Sequence, residues 1–424
     1  MMSAIILYLG ILAWLLSLVQ AERPLLPLST SSRWIVDAAG KRVKLRCINW
    51  AGHMEVNLPE GLHKKPLEYV ADWIRDEGFN CVRLTFSIDH ALNPDISAEE
   101  SFRRGAAAAS IAVEDFMPIY SQAVTHNPFL ANATQRGVFS RVIDALWERD
   151  VMTVLDNHVS RASWCCNLID GNGWWKEARF YSALNSRYFG TDAWIAGLES
   201  VARWASDHEG VVALGLRNEL RATWSQIPFS AADWRDFISR GAAAVHAANP
   251  RLLVVMGGLH SATDLTPLHV EPFDDSRWRG KTVWEAHEYP FTVTTPDIGR
   301  NCDIQLMQYG LLYGFVLEQD RPYTGPLWMS EFGVNMQGGE EAGLSESHYA
   351  YLTCFVSWLE NNDADWALWA VQGSYYVRDG QIDYDETWAA LDRDWNAWRN
   401  RAFKELLGSI FNVTQGPVER SFSG

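Results

Sequence analysis

The chain predicts an α/β fold, specifically a (β/α)8 TIM barrel with long βα loops over the C-terminal face of the sheet. Three observations predict it. Eight short apolar runs alternate with longer amphipathic stretches, as successive βα units require. Each run has the length of a strand buried on both faces. The 424 residues, 48% hydrophobic and 21% charged, suffice for one large core with loop insertions.

At the head of the chain, Ala4 to Val19 is almost unbroken apolar sequence, ending in Val19-Gln20-Ala21, a small-residue pattern suited to signal-peptidase cleavage. Residues 1–21 are therefore expected to be a signal peptide, residues 22–424 a single barrel domain, and the protein to be secreted and extracellular. The strands are expected at Val43–Ile48, Cys81–Phe86, Val151–Asp156, Val211–Leu216, Leu252–Met256, Thr282–Ala286, Leu327–Ser330 and Trp366–Ala370. Helical periodicity marks Pro66–Glu77, Arg136–Arg149, Asp192–Asp207, Ser230–Ala248, Ile304–Gln319, Ser345–Glu360 and Glu386–Leu407, with Asp192, Ser230 and Ser345 as N-caps. Between the fifth and sixth strands the periodicity supports no helix. Two long excursions, Asp89–Asn132 and Val159–Gly190, fall on the strand-to-helix side and are expected to wall a cleft at the barrel mouth.

The net charge of −16 and pI near 5.1 repel phosphate backbones and anionic headgroups, so nucleic acid is not an expected partner, nor is stable membrane association once the leader is removed. Six cysteines allow up to three disulfides in an oxidising compartment. Cys47 and Cys81 lie in apolar runs and read equally well as buried thiols. Neighbouring thiols rarely close on one another, so Cys165 and Cys166 are expected to reach separate partners, Cys302 being one candidate. No C-x-x-C or H-E-x-x-H spacing occurs, and no metal, nucleotide or redox cofactor is implied. The sequons at Asn132 and Asn412 are compatible with N-glycosylation.

Polar residues inside apolar runs can be ranked by position, because strand C-termini feed the catalytic face of such a barrel. Arg83 lies within the second strand, His158 ends the third, Asn218-Glu219 follow the fourth, His287 and Tyr289 the sixth, Glu331 the seventh, and Trp369 stands late in the eighth. Charged groups there are costly to bury unless paired or functional. Two glutamates facing across one mouth, Glu219 and Glu331, suit acid/base and nucleophilic work.

Arg83, His158, Asn218-Glu219, His287-x-Tyr289, Glu331 and Trp369 together resemble the active-site set of glycoside hydrolase family 5, the cellulase-like family. The resemblance runs from about Trp34 to Leu407. It implies a retaining mechanism through a covalent glycosyl-enzyme, with Glu219 as acid/base and Glu331 as nucleophile. It further implies that Arg83 keeps Glu331 ionised, that Tyr289 donates to it, and that Asn218 bonds the sugar 2-hydroxyl. His158 and His287 would orient hydroxyls and the acid/base, and Trp369 would floor the cleavage site.

The chain holds 21 Trp, and Trp50, Trp164, Trp174, Trp175 and Trp224 lie in expected mouth loops. Indoles stack on pyranose faces, and Trp50 and Trp174, flanked by turn-prone glycines, are the expected sugar contacts. An endo-β-1,4-glucanase is the simplest activity implied. Departures at Asn49–Glu55 and Trp164–Trp175 leave room for exo action, for a glycosidase of glycolipids or other conjugates, or for transglycosylation. A catalytically inactive carbohydrate-binding barrel would be signalled by loss of either glutamate, and both are present.

Overall fold

The computed structural model describes residues 23–291 and 301–417; the expected leader, residues 1–21, lies outside them. Eight parallel strands close a barrel in chain order: β1 (Arg46–Trp50), β2 (Cys81–Ser87), β3 (Met152–Val159), β4 (Val211–Gly215), β5 (Leu253–Gly257), β6 (Thr282–Glu288), β7 (Leu327–Phe332) and β8 (Asp365–Leu368), which pairs back onto β1. Strands β2 to β5, β7 and β8 are buried at every position, which is why the sequence shows apolar runs instead of alternation.

The outer layer comprises α1 (Leu67–Asp76), α2 (Gln135–Trp147), α3 (Thr191–Trp204), α4 (Ser230–Ala248), α5 (Cys302–Leu312) and α6 (Glu346–Asn362). In α1 the buried Leu67, Val70, Ala71 and Ile74 recur at the spacing of one helical face. Ser345 caps α6, its hydroxyl accepting from the His348 backbone N–H. Asp192 and Ser230 do not cap. Gly190 precedes α3, and the 3-10 turn Ile227–Phe229 runs directly into α4, so Ser230 already has helical backbone and its hydroxyl donates back to Ile227 O. Between β5 and β6 stand a tight turn at Leu259–Ala262, where His260, Ser261 and Ala262 all have positive φ, and the four-residue helix Pro267–Val270. Among the described residues no helix is long and apolar enough to cross a membrane.

The expected helix Glu386–Leu407 is largely absent. An antiparallel hairpin, Ser374–Arg378 with Gln381–Asp385, follows β8, and only α7 (Arg401–Leu406) is helical. The Asp392 carboxylate accepts from the backbone N–H groups of Asp394 and Asn396, and Trp395 sits at φ +60°, so local side-chain bonding displaces the helix.

An N-terminal hairpin, Ser29–Ser31 with Trp34–Val36, packs Leu28, Ile35, Val43 and Leu45 against Cys47, Cys81, Met152, Leu253, Val283 and Trp328 near the strand starts. It closes one end of the barrel and leaves the C-terminal end as the mouth. Cys47 and Cys81 are disulfide-bonded where β1 and β2 pair, and Cys302–Cys354 joins α5 to α6. Contrary to expectation, Cys165 and Cys166 are bonded to each other across a cis peptide bond. Both line the barrel mouth, whereas Cys302 starts an outer-layer helix and faces its partner there. The side chains of both sequon residues, Asn132 and Asn412, are exposed.

Candidate active site

Arg83, fully buried on β2, is the hub of the mouth. Its Nη1 donates to Glu331 Oε1 at 2.6 Å and to Asn49 Oδ1 at 3.0 Å, while Nη2 donates to Asn218 Oδ1 at 2.8 Å and pairs with Glu285 Oε1 at 3.1 Å and Asp156 Oδ1 at 3.0 Å. Neighbouring glycines make room for these carboxylates: a Cβ on Gly215 would lie 2.7 Å from Asp156 Oδ1. One guanidinium thereby balances several buried acids, the arrangement a buried charge cluster requires.

Glu331, on β7, also accepts from the Tyr289 hydroxyl at 2.9 Å. Burial pushes its carboxyl up, with Glu219 adding to the rise, and His287, Arg83 and Tyr289 limit it. Thus Arg83 touches Glu331 as expected, but burial outweighs it. His287 faces Glu219 Oε1 through Nδ1 at 3.1 Å and Glu285 Oε1 through Nε2 at 3.8 Å. Burial opposes charge on His287, yet Glu331, Glu219 and Glu285 together raise it to about 10, so the imidazolium donates to Glu219. His158 behaves oppositely. Burial, followed by His53 and Arg83, drives it well below its ordinary value, so the neutral ring donates from Nδ1 to Asp156 Oδ2 at 2.7 Å and presents bare Nε2 to Asn218 Nδ2 at 3.3 Å.

Above this network lies a cleft of about 270 Å³ lined by His158, Asn218, Glu219, Tyr289, Glu331 and Trp369, with Trp164, the Cys165–Cys166 disulfide, Phe291, Arg378, Glu386 and Trp388 completing the wall. A carboxylate oxygen of Glu219 and one of Glu331 lie within 4.8 Å of each other. These two and His287 Nδ1 are close enough to surround a cation, but Arg83 and the protonated His287 already supply positive charge there. The arrangement presents two carboxylates to one bond: Glu331, held by a guanidinium and a phenol, and Glu219, beside an imidazolium.

All eight residues singled out in the sequence, Arg83 within its strand and seven at or just past strand ends, meet at this mouth. Trp50 and Trp174 do not. Both are fully buried, Trp50 donating from its indole N–H to Glu60 O and Trp174 packed edge-on against Trp175, so neither ring face can meet a ligand. Trp164 and Trp388 hold the wall positions instead. Of the two excursions only 159–190 lines the cleft among the described residues, whereas 89–132 folds into helices Ala98–Ala108 and Val113–His126. Sequence reasoning missed Asn49, Asp156, Glu285, Arg378 and Glu386. Asp156 and Glu285 were detectable as charges inside all-apolar strands, but Glu386 was hidden in an apparently helical stretch.

Residues 36–374 match the family model described as cellulase (glycosyl hydrolase family 5). A glycosyl hydrolase 5 family protein of Chamaecyparis obtusa is 38% identical over 411 residues, 96% of this chain and 69% of that protein. The catalytic domain of the major endoglucanase of Xanthomonas campestris pv. campestris superposes with a TM-score of 0.69 at 21% identity, covering 91% of this chain and 99% of that one. The endocellulase of Pyrococcus horikoshii, solved in complex with cellotetraose, superposes with a TM-score of 0.69 at 16% identity over 92% and 100% of the two chains.

Proposed function

The chain belongs to glycosyl hydrolase family 5, and from that premise we propose that it is a secreted, retaining β-glycoside hydrolase acting on β-linked glucans, with endo-β-1,4-glucanase activity as its simplest form. The separation of Glu219 and Glu331 carries the mechanistic part. Oxygens within 4.8 Å suit direct attack by one carboxylate, since retaining pairs stand about 5–5.5 Å apart and inverting pairs roughly 6.5–9.5 Å, with a water between.

Glu331 attacks the anomeric carbon while protonated Glu219 delivers its proton to the glycosidic oxygen, releasing the leaving group. Water then adds to the glycosyl-enzyme as Glu219 takes its proton, and Glu331 departs. The Tyr289 hydroxyl and Arg83 aim the nucleophile, and His287 holds Glu219. Asn218, fixed through its Oδ1 by Arg83, supports the sugar 2-hydroxyl. Trp369, in a cluster with Tyr289 and Ala370 against which Trp164 and Trp388 pack, offers an indole floor for a pyranose ring. The glucan reading draws on the endoglucanases that share the fold, one of them holding cellotetraose. Secretion draws on the apolar leader and three disulfides.

The test is turnover of aryl β-glycosides and soluble glucans by wild type, Glu219→Ala and Glu331→Ala. Each substitution is expected to cost at least about 10²-fold in kcat, and azide is expected to rescue Glu331→Ala with a glycosyl azide of inverted configuration. Wild-type turnover in either variant sinks the assignment. Rapid loss of glucan viscosity accompanies internal cleavage, and release of single short products would favour exo action instead.

A further inference from the structure

Among the described residues three carboxylates line the cleft, and the double displacement uses two, Glu219 and Glu331. The third, Glu386, is 3% exposed and stands just past the hairpin that follows β8. Its Oε2 accepts from Arg378 Nη1 at 2.7 Å, its Oε1 accepts from the Trp388 backbone N–H at 3.1 Å, and the Tyr375 hydroxyl also bonds the carboxylate. These bonds occupy three of roughly four acceptor directions of a carboxylate. The Arg378 guanidinium in turn lies 3.5 Å from the centre of the Trp164 ring.

A buried ion pair is a weak source of stability, and apolar side chains would fill such a wall as well or better. The pair sits where hydrogen bonding matters. Trp164 and Trp388 pack against the cluster that Trp369 forms with Tyr289 and Ala370, and Glu386 and Arg378 line the same cleft as these indoles. The cleft, about 270 Å³, is near the lower bound of ligand pockets, roughly 300–1,000 Å³. A pyranose in a cleft of this size shares its lining with both groups. Its hydroxyls are the donors a carboxylate accepts, and their oxygens are the acceptors a guanidinium serves.

We propose that Glu386, held by Arg378, is a specificity-determining residue that accepts a hydrogen bond, through its remaining acceptor direction, from one hydroxyl of the sugar unit resting on Trp369. The proposal rests on the glycosidase reading above. The competing role is a structural clip between the hairpin and the loop carrying Trp388, which would leave hydroxyl recognition unchanged.

The two are separated by isothermal titration of Glu219→Gln enzyme, with and without Glu386→Gln, using cellobiose and its monodeoxy analogues. The Glu219→Gln enzyme is expected to lose roughly 10- to 100-fold in affinity when one particular hydroxyl is missing, as for a hydrogen bond to a charged group. Adding Glu386→Gln should impose that loss on cellobiose itself and abolish sensitivity to the same hydroxyl. Equal losses in both proteins at every position overturn the proposal, as does unchanged cellobiose affinity on adding Glu386→Gln. If Glu386→Gln unfolds the protein, Glu386→Asp keeps the charge while withdrawing it by one methylene, and the same comparison applies. Wild-type rates of soluble-glucan hydrolysis by the Glu219→Gln enzyme would sink the catalytic assignment alone, because the affinity comparison does not depend on it.

Discussion

Arg83 meets five side chains, Asn49, Asp156, Asn218, Glu285 and Glu331, through two nitrogens. A planar fork does this and a point charge does not. Arg83→Lys is therefore expected to lower stability by several kcal/mol, on the order of the 3–5 kcal/mol for breaking a buried pair, and to lower kcat/KM by at least about 10²-fold, read by thermal unfolding and aryl-glycoside kinetics. Unchanged kinetics in a folded Arg83→Lys protein would show that Glu331 needs no guanidinium. At the same scale, His158 and His287 are one residue type in opposite states. His287 is ringed by carboxylates, and His158 stacks between His53 and Trp369 with Arg83 nearby.

At the scale of elements, the loop around Cys165 and Cys166 is tied to the segment that carries Glu219. Asn218 Nδ2 approaches both sulfurs at 3.4 and 3.7 Å, and Arg221 pairs with Asp170 at 2.9 Å while donating to Glu219 O at 2.6 Å. Glu219 is thus placed by a loop and a strand end acting together. Helix α6 illustrates the opposite, a purely local device. Removing its cap with Ser345→Ala should cost about 1 kcal/mol in chemical unfolding and leave kcat/KM unaltered, because the cap lies outside the cleft lining. A larger loss would mean that the α6 start also anchors tertiary structure.

Across the whole molecule, buried titratable groups make stability depend on pH, and His90 offers a way to measure one contribution. Buried against Phe139 and near Arg136, its ring is driven down to about 3, burial being the larger cause. Between pH 6.5 and 3 the unfolded chain binds a proton there that the folded chain does not, so stability drops by up to about 1.4 kcal/mol per pH unit as pH falls and is flat above 6.5. Urea unfolding of wild type against His90→Leu should show the gap moving by that slope in the variant's favour on acidification; parallel curves would rule out a neutral buried His90. The barrel itself was legible in the chain, because a strand buried on both faces writes its burial into consecutive apolar residues, and the catalytic candidates were legible because polar residues interrupt those runs at their C-terminal ends. What local pattern could not decide was which groups meet. Arg83 and Glu331 are separated by 248 positions, Trp50 and Trp174 turn inward while Trp164 and Trp388 take the wall, Cys165 closes on Cys166, and Glu386 emerges from a stretch with helical periodicity beside a cleft closed by a hairpin. Periodicity is a property of neighbours along the chain, whereas the ion pairs, the exposed indole faces and the wall of the cleft are set by contacts that exist only once the barrel has closed.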